Sequence, residues 1–197
     1  MLMQMMECFN RVAVDEHITY WLDYASLLGS MRHGDIIPWD DGDIDIGILD
    51  AEVPRVRAAF VTIYKLCGHW GIHRSDWFNP GCTAFGVRRS SFRMFWDLTT
   101  PWYIDVADYE RISDVRDTGD RLLADTHYSP LLLVINESDV LPTVPCRFGR
   151  LTLPCPRNTD LYLTRLYGDW RTPRKGMNAN PDNNRYMSEV NQTSVGF

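Results

Sequence analysis

Apolar and polar positions follow a helical period from Leu2 to about Glu16, and the chain then turns aromatic at Tyr20-Trp21-Leu22-Asp23-Tyr24. This pattern predicts a helix feeding a strand. Ser26 offers its hydroxyl as an N-cap to the short run Leu27-Leu28-Gly29-Ser30-Met31-Arg32, which Gly34 and Pro38 stop. From Ile44 to Leu49 apolar residues alternate with Asp45 and Gly47, the pattern of a half-buried strand. Glu52 to Leu66 carries Pro54 in its first turn and Val56, Ala59, Phe60 and Ile63 at helical spacing, which predicts an amphipathic helix. Between Trp70 and Asp108, β-branched and aromatic runs are broken by Asn79-Pro80-Gly81, Ser90-Ser91 and Thr99-Thr100-Pro101, so consecutive short strands of one sheet are expected. Arg147 to Leu151 reads as a hairpin and Asn158 to Tyr167 as a last short helix. Beyond Pro173 the composition turns to Asn, Ser and Gly, which predicts a flexible tail over 176–197. No repeat, heptad or linker interrupts the pattern, so the expected architecture is α+β, a mixed sheet flanked by helices in one domain over 1–175.

Composition agrees with a single domain: 197 residues, 45% hydrophobic, enough to bury a full core. Disordered and fibrous classes are excluded. A formal charge of -6 and a pI near 5.3 leave no global basic field, which argues against nucleic acid as principal partner. All but Lys65 and Lys175 of the 20 basic residues are Arg, a bias toward planar recognition of phosphate or carboxylate. The longest apolar runs, such as Leu131 to Ile135, fall far short of the roughly 20 residues of a spanning helix, so no membrane insertion is expected. Five cysteines at irregular spacing do not read as a disulfide framework; only Cys146 and Cys155, which bracket the hairpin, are placed to face one another. The run Cys67, His69, His73, Cys82 fits no standard zinc spacing. With no secretory signal at the N-terminus, a reducing cytoplasm is the default compartment, and the Golgi or secretory lumen the alternative for a piece of a longer, targeted protein.

The chemistry concentrates between Asp35 and Asp50, where six Asp occur with no Lys or Arg. In Asp43-Ile44-Asp45-Ile46 the two carboxylates project from one strand face, while Ile44, Ile46 and Ile48 anchor the other in the core. Paired carboxylates on a core-anchored strand suit a hard divalent cation, Mg2+ or Mn2+. Walker, Rossmann and Gly-x-Ser-x-Gly patterns are absent.

The stretch from Tyr24 through Ala25-Ser26-Leu27-Leu28-Gly29-Ser30-Met31-Arg32-His33-Gly34-Asp35-Ile36-Ile37-Pro38-Trp39-Asp40 to Asp43-Ile44-Asp45-Ile46-Gly47 resembles the signature of the LicD family, which includes bacterial phosphocholine transferases. Leu163 to Trp170, followed by Pro173, is similar to the family's C-terminal helix and Tyr-Gly motif. The resemblance implies a polymerase-beta-like nucleotidyltransferase fold. It also implies metal-dependent transfer of a phospho-alcohol, such as phosphocholine or ribitol phosphate, from a CDP-activated donor to a glycan hydroxyl. Asp43 and Asp45 would be catalytic and metal-ligating, joined by Asp105 in Tyr103-Ile104-Asp105-Val106-Ala107 as the third acidic position and by Asp41 as an additional candidate ligand. Asp97 and Asp108 are the rivals of Asp105; Asp108, three positions on, is expected on the opposite strand face against solvent or a loop. Ser26, Gly29, Arg32, Tyr167 and Trp170 would bind the donor, with Gly29-Ser30 an alternative to Ala25-Ser26 as the phosphate turn. Two departures stand out: Ala25 replaces the family's usual Gly, and Asp40-Asp41-Gly42-Asp43 carries one residue more than usual, leaving the roles of Asp40 and Asp41 open. The competing expectations are a nucleotidyltransferase moving a nucleoside monophosphate and a catalytically impaired nucleotide- or glycan-binding domain.

Overall fold

A computed structural model describes residues 1–38, 42–67, 71–73, 92–95, 102–112, 120–125 and 134–172. The chain runs through α1 (Leu2–Asp15), β1 (Tyr20–Leu22), α2 (Tyr24–His33), β2 (Asp43–Leu49), a 3-10 turn at Asp50–Glu52 and α3 (Val53–Cys67). Strands β3 (Gly71–His73), β4 (Phe92–Phe95), β5 (Tyr103–Ile112), β6 (Leu122–Asp125) and β7 (Val134–Asn136) follow. A one-turn α4 (Glu137–Val140), the hairpin β8 (Val144–Phe148) and β9 (Leu151–Cys155), and α5 (Thr159–Tyr167) complete it.

The result is a mixed sheet of order β1-β2-β5-β4-β3, extended from β5 through β6 and β7, with helices packed against it. Ile44, Ile46 and Ile48 are fully buried along β2, and Leu2, Met5, Met6, Phe9 and Val12 of α1 recur every three to four residues as its buried stripe. Val53, Val56, Ala59 and Ile63 do the same for α3, which lies beside α1. Trp21 packs its ring flat over Gly47, its partner across the β1–β2 ladder, where a Cβ would stand 2.4 Å from the indole.

Three expectations are corrected. The N-cap of α2 is Asp23, whose carboxylate accepts from the Tyr24 N–H at 2.8 Å, and the helix begins two residues ahead of Ser26. Ser26 is spared from capping because β2 recruits its hydroxyl. Asp108 lies on β5 opposite Ile48 and is buried, so it faces the interior rather than solvent. Two disulfides are present: Cys8–Cys67 ties α1 to the end of α3, and Cys146–Cys155 closes the hairpin. The first removes Cys67 from any zinc arrangement. The strands β6 and β7 were not anticipated, since the four residues of β6 are all buried and show no alternation. The expected strand breaks at 79–81, 90–91 and 99–101, Asp97 and the tail over 176–197 lie outside the described residues.

The hairpin is docked on the C-terminal half of α2. Ser30 Oγ donates to the Arg147 carbonyl at 2.7 Å, and the Gly149 N–H donates to the carbonyl of Gly34, the left-handed C-cap of α2. Its disulfide closes a loop of sequence separation 9, for which loop-closure entropy gives roughly 2.5 kcal/mol. Cys146→Ser is expected to lower the urea midpoint by a corresponding amount in oxidising buffer and to match the parent protein once both are reduced.

Candidate active site

The parallel pairing of β2 with β5 sets Asp45 directly opposite Asp105, and Asp43 lies two residues earlier on the same face of β2. Asp43, Asp45 and Asp105 each present a carboxylate oxygen, and these oxygens lie within 4.8 Å of one another. Asp105 is buried and the other two are partly buried. Burial, followed by repulsion from Asp43 and Asp105, pushes the Asp45 carboxyl well above the usual carboxylate range, opposed by a hydrogen bond from the Ser26 backbone. An all-oxygen, anionic donor set of this kind fits a hard divalent cation, whose charge would reverse that repulsion.

The N-terminal turn of α2 is fastened to this site. Ser26 Oγ accepts from the Asp45 N–H at 2.8 Å, and the Asp23 N–H donates to the Asp45 carbonyl at 3.1 Å. Ala25, whose intolerance of positive φ marks a departure from the family pattern, escapes that strain. The left-handed residue of the turn is Tyr24, at φ 38°, with its hydroxyl donated to Asp125. Asp23 is wholly buried and accepts from the hydroxyls of Tyr109, at 2.6 Å, and Tyr162, at 2.8 Å. Those two hydroxyls are 2.7 Å apart, so they close a ring with the two carboxylate oxygens of Asp23. Burial pushes the Asp23 carboxyl up to about 6, with hydrogen bonds from the tyrosines and the Tyr24 N–H opposing the rise. None of Asp23, Tyr109, Tyr162 and Asp125 was singled out as a site residue from the sequence. The available signal was Tyr162 in the apolar stripe of α5, a phenol that needs a partner when buried.

The remaining expected donor-side residues lie on α2 and on the segment at and after the end of α5. Gly29 is buried in α2 beneath the crossing chain at Asp35–Ile37, where a Cβ would stand 2.5 Å from the Asp35 carbonyl oxygen; close backbone approach accounts for the glycine. Ser30, its neighbour, is spent on the hairpin. The guanidinium of Arg32 donates to the carbonyls of Trp170 and Thr172, so it grips the segment after α5. Trp170 is partly buried, with its indole N–H on Asp160 at 3.1 Å and the Arg171 guanidinium over its ring at 4.5 Å. Tyr167 is partly buried at the end of α5. Trp39, Asp40 and Asp41 lie outside the described residues. Arg32→Ala is expected to speed amide hydrogen exchange across 168–172 while leaving α1 and α3 unchanged; unaltered exchange there would disprove the tether.

Paired carboxylates on adjacent parallel strands beside a helix N-terminus define the class, and the chain belongs to the LicD family. The family profile described as "LicD/FKTN/FKRP, nucleotidyltransferase domain" matches residues 17–158. At family level this points to a phosphotransferase-type enzyme. Among curated relatives, the ribitol 5-phosphate transferase FKRP of Homo sapiens and that of Mus musculus are each 64% identical over 31 residues, covering 16% of this chain and 6% of theirs. An uncharacterized protein of Rickettsia typhi is 44% identical over 79 residues, covering 34% of this chain and 25% of its own. The chain thus matches only a minor part of the length of each of these relatives. Among the described residues no helix is long and apolar enough to cross a membrane.

Proposed function

We propose that this chain is a metal-dependent phosphotransferase of the polymerase-beta-like type, moving a phospho-alcohol from a CDP-activated donor to a glycan hydroxyl. The observation that carries the reading is the convergence of Asp43, Asp45 and Asp105 beside the first turn of α2. These three residues, with Asp41 as an additional candidate, would hold Mg2+ or Mn2+. Such an ion offsets the charge of the donor pyrophosphate and of the transition state. The acceptor oxygen bonds to the phosphorus that carries the alcohol, its proton passes to Asp105, and the bond from that phosphorus to the bridging oxygen breaks. CMP leaves with the bonding pair.

Ser26 serves the donor phosphates from the α2 turn: its oxygen lone pair is engaged by the Asp45 N–H, which orients the hydroxyl proton away from β2. Tyr167 and Trp170 are assigned to the donor side on the family likeness of their segment, whereas Gly29 and Arg32 support the fold around it.

The name of the FKRP relatives makes CDP-activated ribitol phosphate the first donor to test, with the choline analogue beside it. Release of CMP coupled to labelling of a glycan acceptor supports this reading. Release of pyrophosphate from a nucleoside triphosphate would instead make the chain an ordinary nucleotidyltransferase, and donor binding without any turnover an impaired binding domain.

A further inference from the structure

We propose that Asp23 is a positioning residue of this site, holding the Asp43–Asp45–Asp105 constellation in register by clamping the first turn of α2 between β2, β5 and α5. The inference rests on the metal-binding reading above.

Asp45 sits where the β1–β2 ladder ends, since the last paired residues are Leu22 and Ile46. Beyond that point Asp45 depends on α2 for its backbone partners, and both come from the helix turn: Asp23 N–H takes its carbonyl and Ser26 Oγ takes its N–H. The position of Asp45 therefore follows the position of that turn. What fixes the turn is the Asp23 side chain. Its carboxylate caps the helix through the Tyr24 N–H and reaches the hydroxyl of Tyr109, four residues beyond Asp105 on β5, and that of Tyr162 on α5. Trp21 Nε1 donates to Tyr162 at 3.2 Å, which closes the lattice back to β1. The β2–β5 ladder sets Asp45 opposite Asp105, and the α2 turn holds the other edge of β2 at Asp45, so loosening of the turn frees that edge and the aim of its carboxylate toward Asp105. Asp23 is closed off from solvent and reaches Asp45 by two routes, its backbone N–H on the Asp45 carbonyl and the repulsion of its charge, and Asp23→Asn removes the second while keeping the first. Groups that orient ligands from behind typically change metal affinity by about 10- to 100-fold when removed.

The test measures Mn2+ affinity of the full chain by electron paramagnetic resonance, with thermal melting recorded in parallel. Asp23→Ala is expected to weaken Mn2+ binding about tenfold or more, while Asp23→Asn, which keeps the shape and can donate to and accept from the tyrosines, restores most of it. Alanine also leaves one hydroxyl proton of the Tyr109–Tyr162 pair without an acceptor, a cost in stability that is separate from positioning. The variant Trp21→Phe, Asp23→Ala, Tyr109→Phe, Tyr162→Phe removes that group together with the Trp21 N–H that loss of the Tyr162 hydroxyl would leave unpaired. Recovery of its melting temperature with Mn2+ affinity still at the alanine level supports positioning. Recovery of both together would overturn it, leaving a structural role. Should the alanine variants fail to fold, Tyr162→Phe alone is expected to weaken Mn2+ binding measurably, and wild-type affinity in that variant would overturn the inference. If the wild-type chain binds no Mn2+, the proposed function itself fails and this inference with it. Wild-type binding that Asp45→Asn abolishes but Asp23→Ala leaves unchanged would refute only the role of Asp23.

Discussion

Asp45→Asn is expected to lower turnover by orders of magnitude and to leave the protein folded, with a melting temperature in metal-free buffer at or above that of the wild type. The two halves of this result have one cause. Asp45 is partly buried beside Asp43 and Asp105, and its charged form is disfavoured there. An amide relieves that repulsion while keeping the shape and the backbone bonds to Asp23 and Ser26. The same charge is what a divalent cation would need, so the variant loses metal affinity, and activity goes with it. Excess EDTA should give wild-type protein the same phenotype, reversible by Mg2+ or Mn2+. Undiminished turnover in EDTA with no metal bound would remove the metal hypothesis, and a collapse of the asparagine variant in metal-free buffer would make Asp45 structural.

Gly47→Ala is expected to unfold or severely destabilise the chain. The added methyl would lie 2.4 Å from Cε2 and Nε1 of Trp21 and 2.7 Å from Cζ2, distances that real carbon contacts do not reach. The ring cannot swing aside, because it is fully buried, packs on Tyr109 at 5.1 Å and donates its N–H to Tyr162. The strand cannot yield either, being paired on one edge with β1 and on the other with β5. A cost of about 3 kcal/mol is expected from overpacking at such a position. Chemical denaturation reads it directly, and an unshifted midpoint would mean the indole has room that the structure denies it.

The elements most legible in the sequence are those whose apolar period ran long enough to stand out. Helices α1, α3 and α5 and strand β2 fall within a residue or two of expectation, and the hairpin turns at Gly149 as expected but runs out to Val144 and Cys155 on either side of the expected Arg147–Leu151. The two-residue spacing of Asp43 and Asp45 is likewise a local signal, and it survives because the alternating isoleucines pin that strand by one face. Other features were decided by partners distant in sequence. Asp23 and Ser26 are both competent caps, and the choice between them turned on β2 claiming the Ser26 hydroxyl. Gly29 has a second reason to be glycine that no local pattern reveals, the close approach of the chain at Asp35–Ile37. Arg32 carries no mark in its neighbourhood of the carbonyls it grips 138 and 140 residues later. Cys8 and Cys67 are 59 positions apart at a spacing that matches no framework, and only the packing of α1 on α3 brings them together.

That bridge makes a covalent ring of everything between its ends. β1, the α2 turn with Asp23 and Ser26, and the β2 carboxylates Asp43 and Asp45 all lie inside the ring, whereas Asp105 lies outside it. A single backbone cut anywhere between residues 9 and 66 therefore liberates no piece. Protease-nicked protein should run as one species on a non-reducing gel and separate into two only when thiol is added.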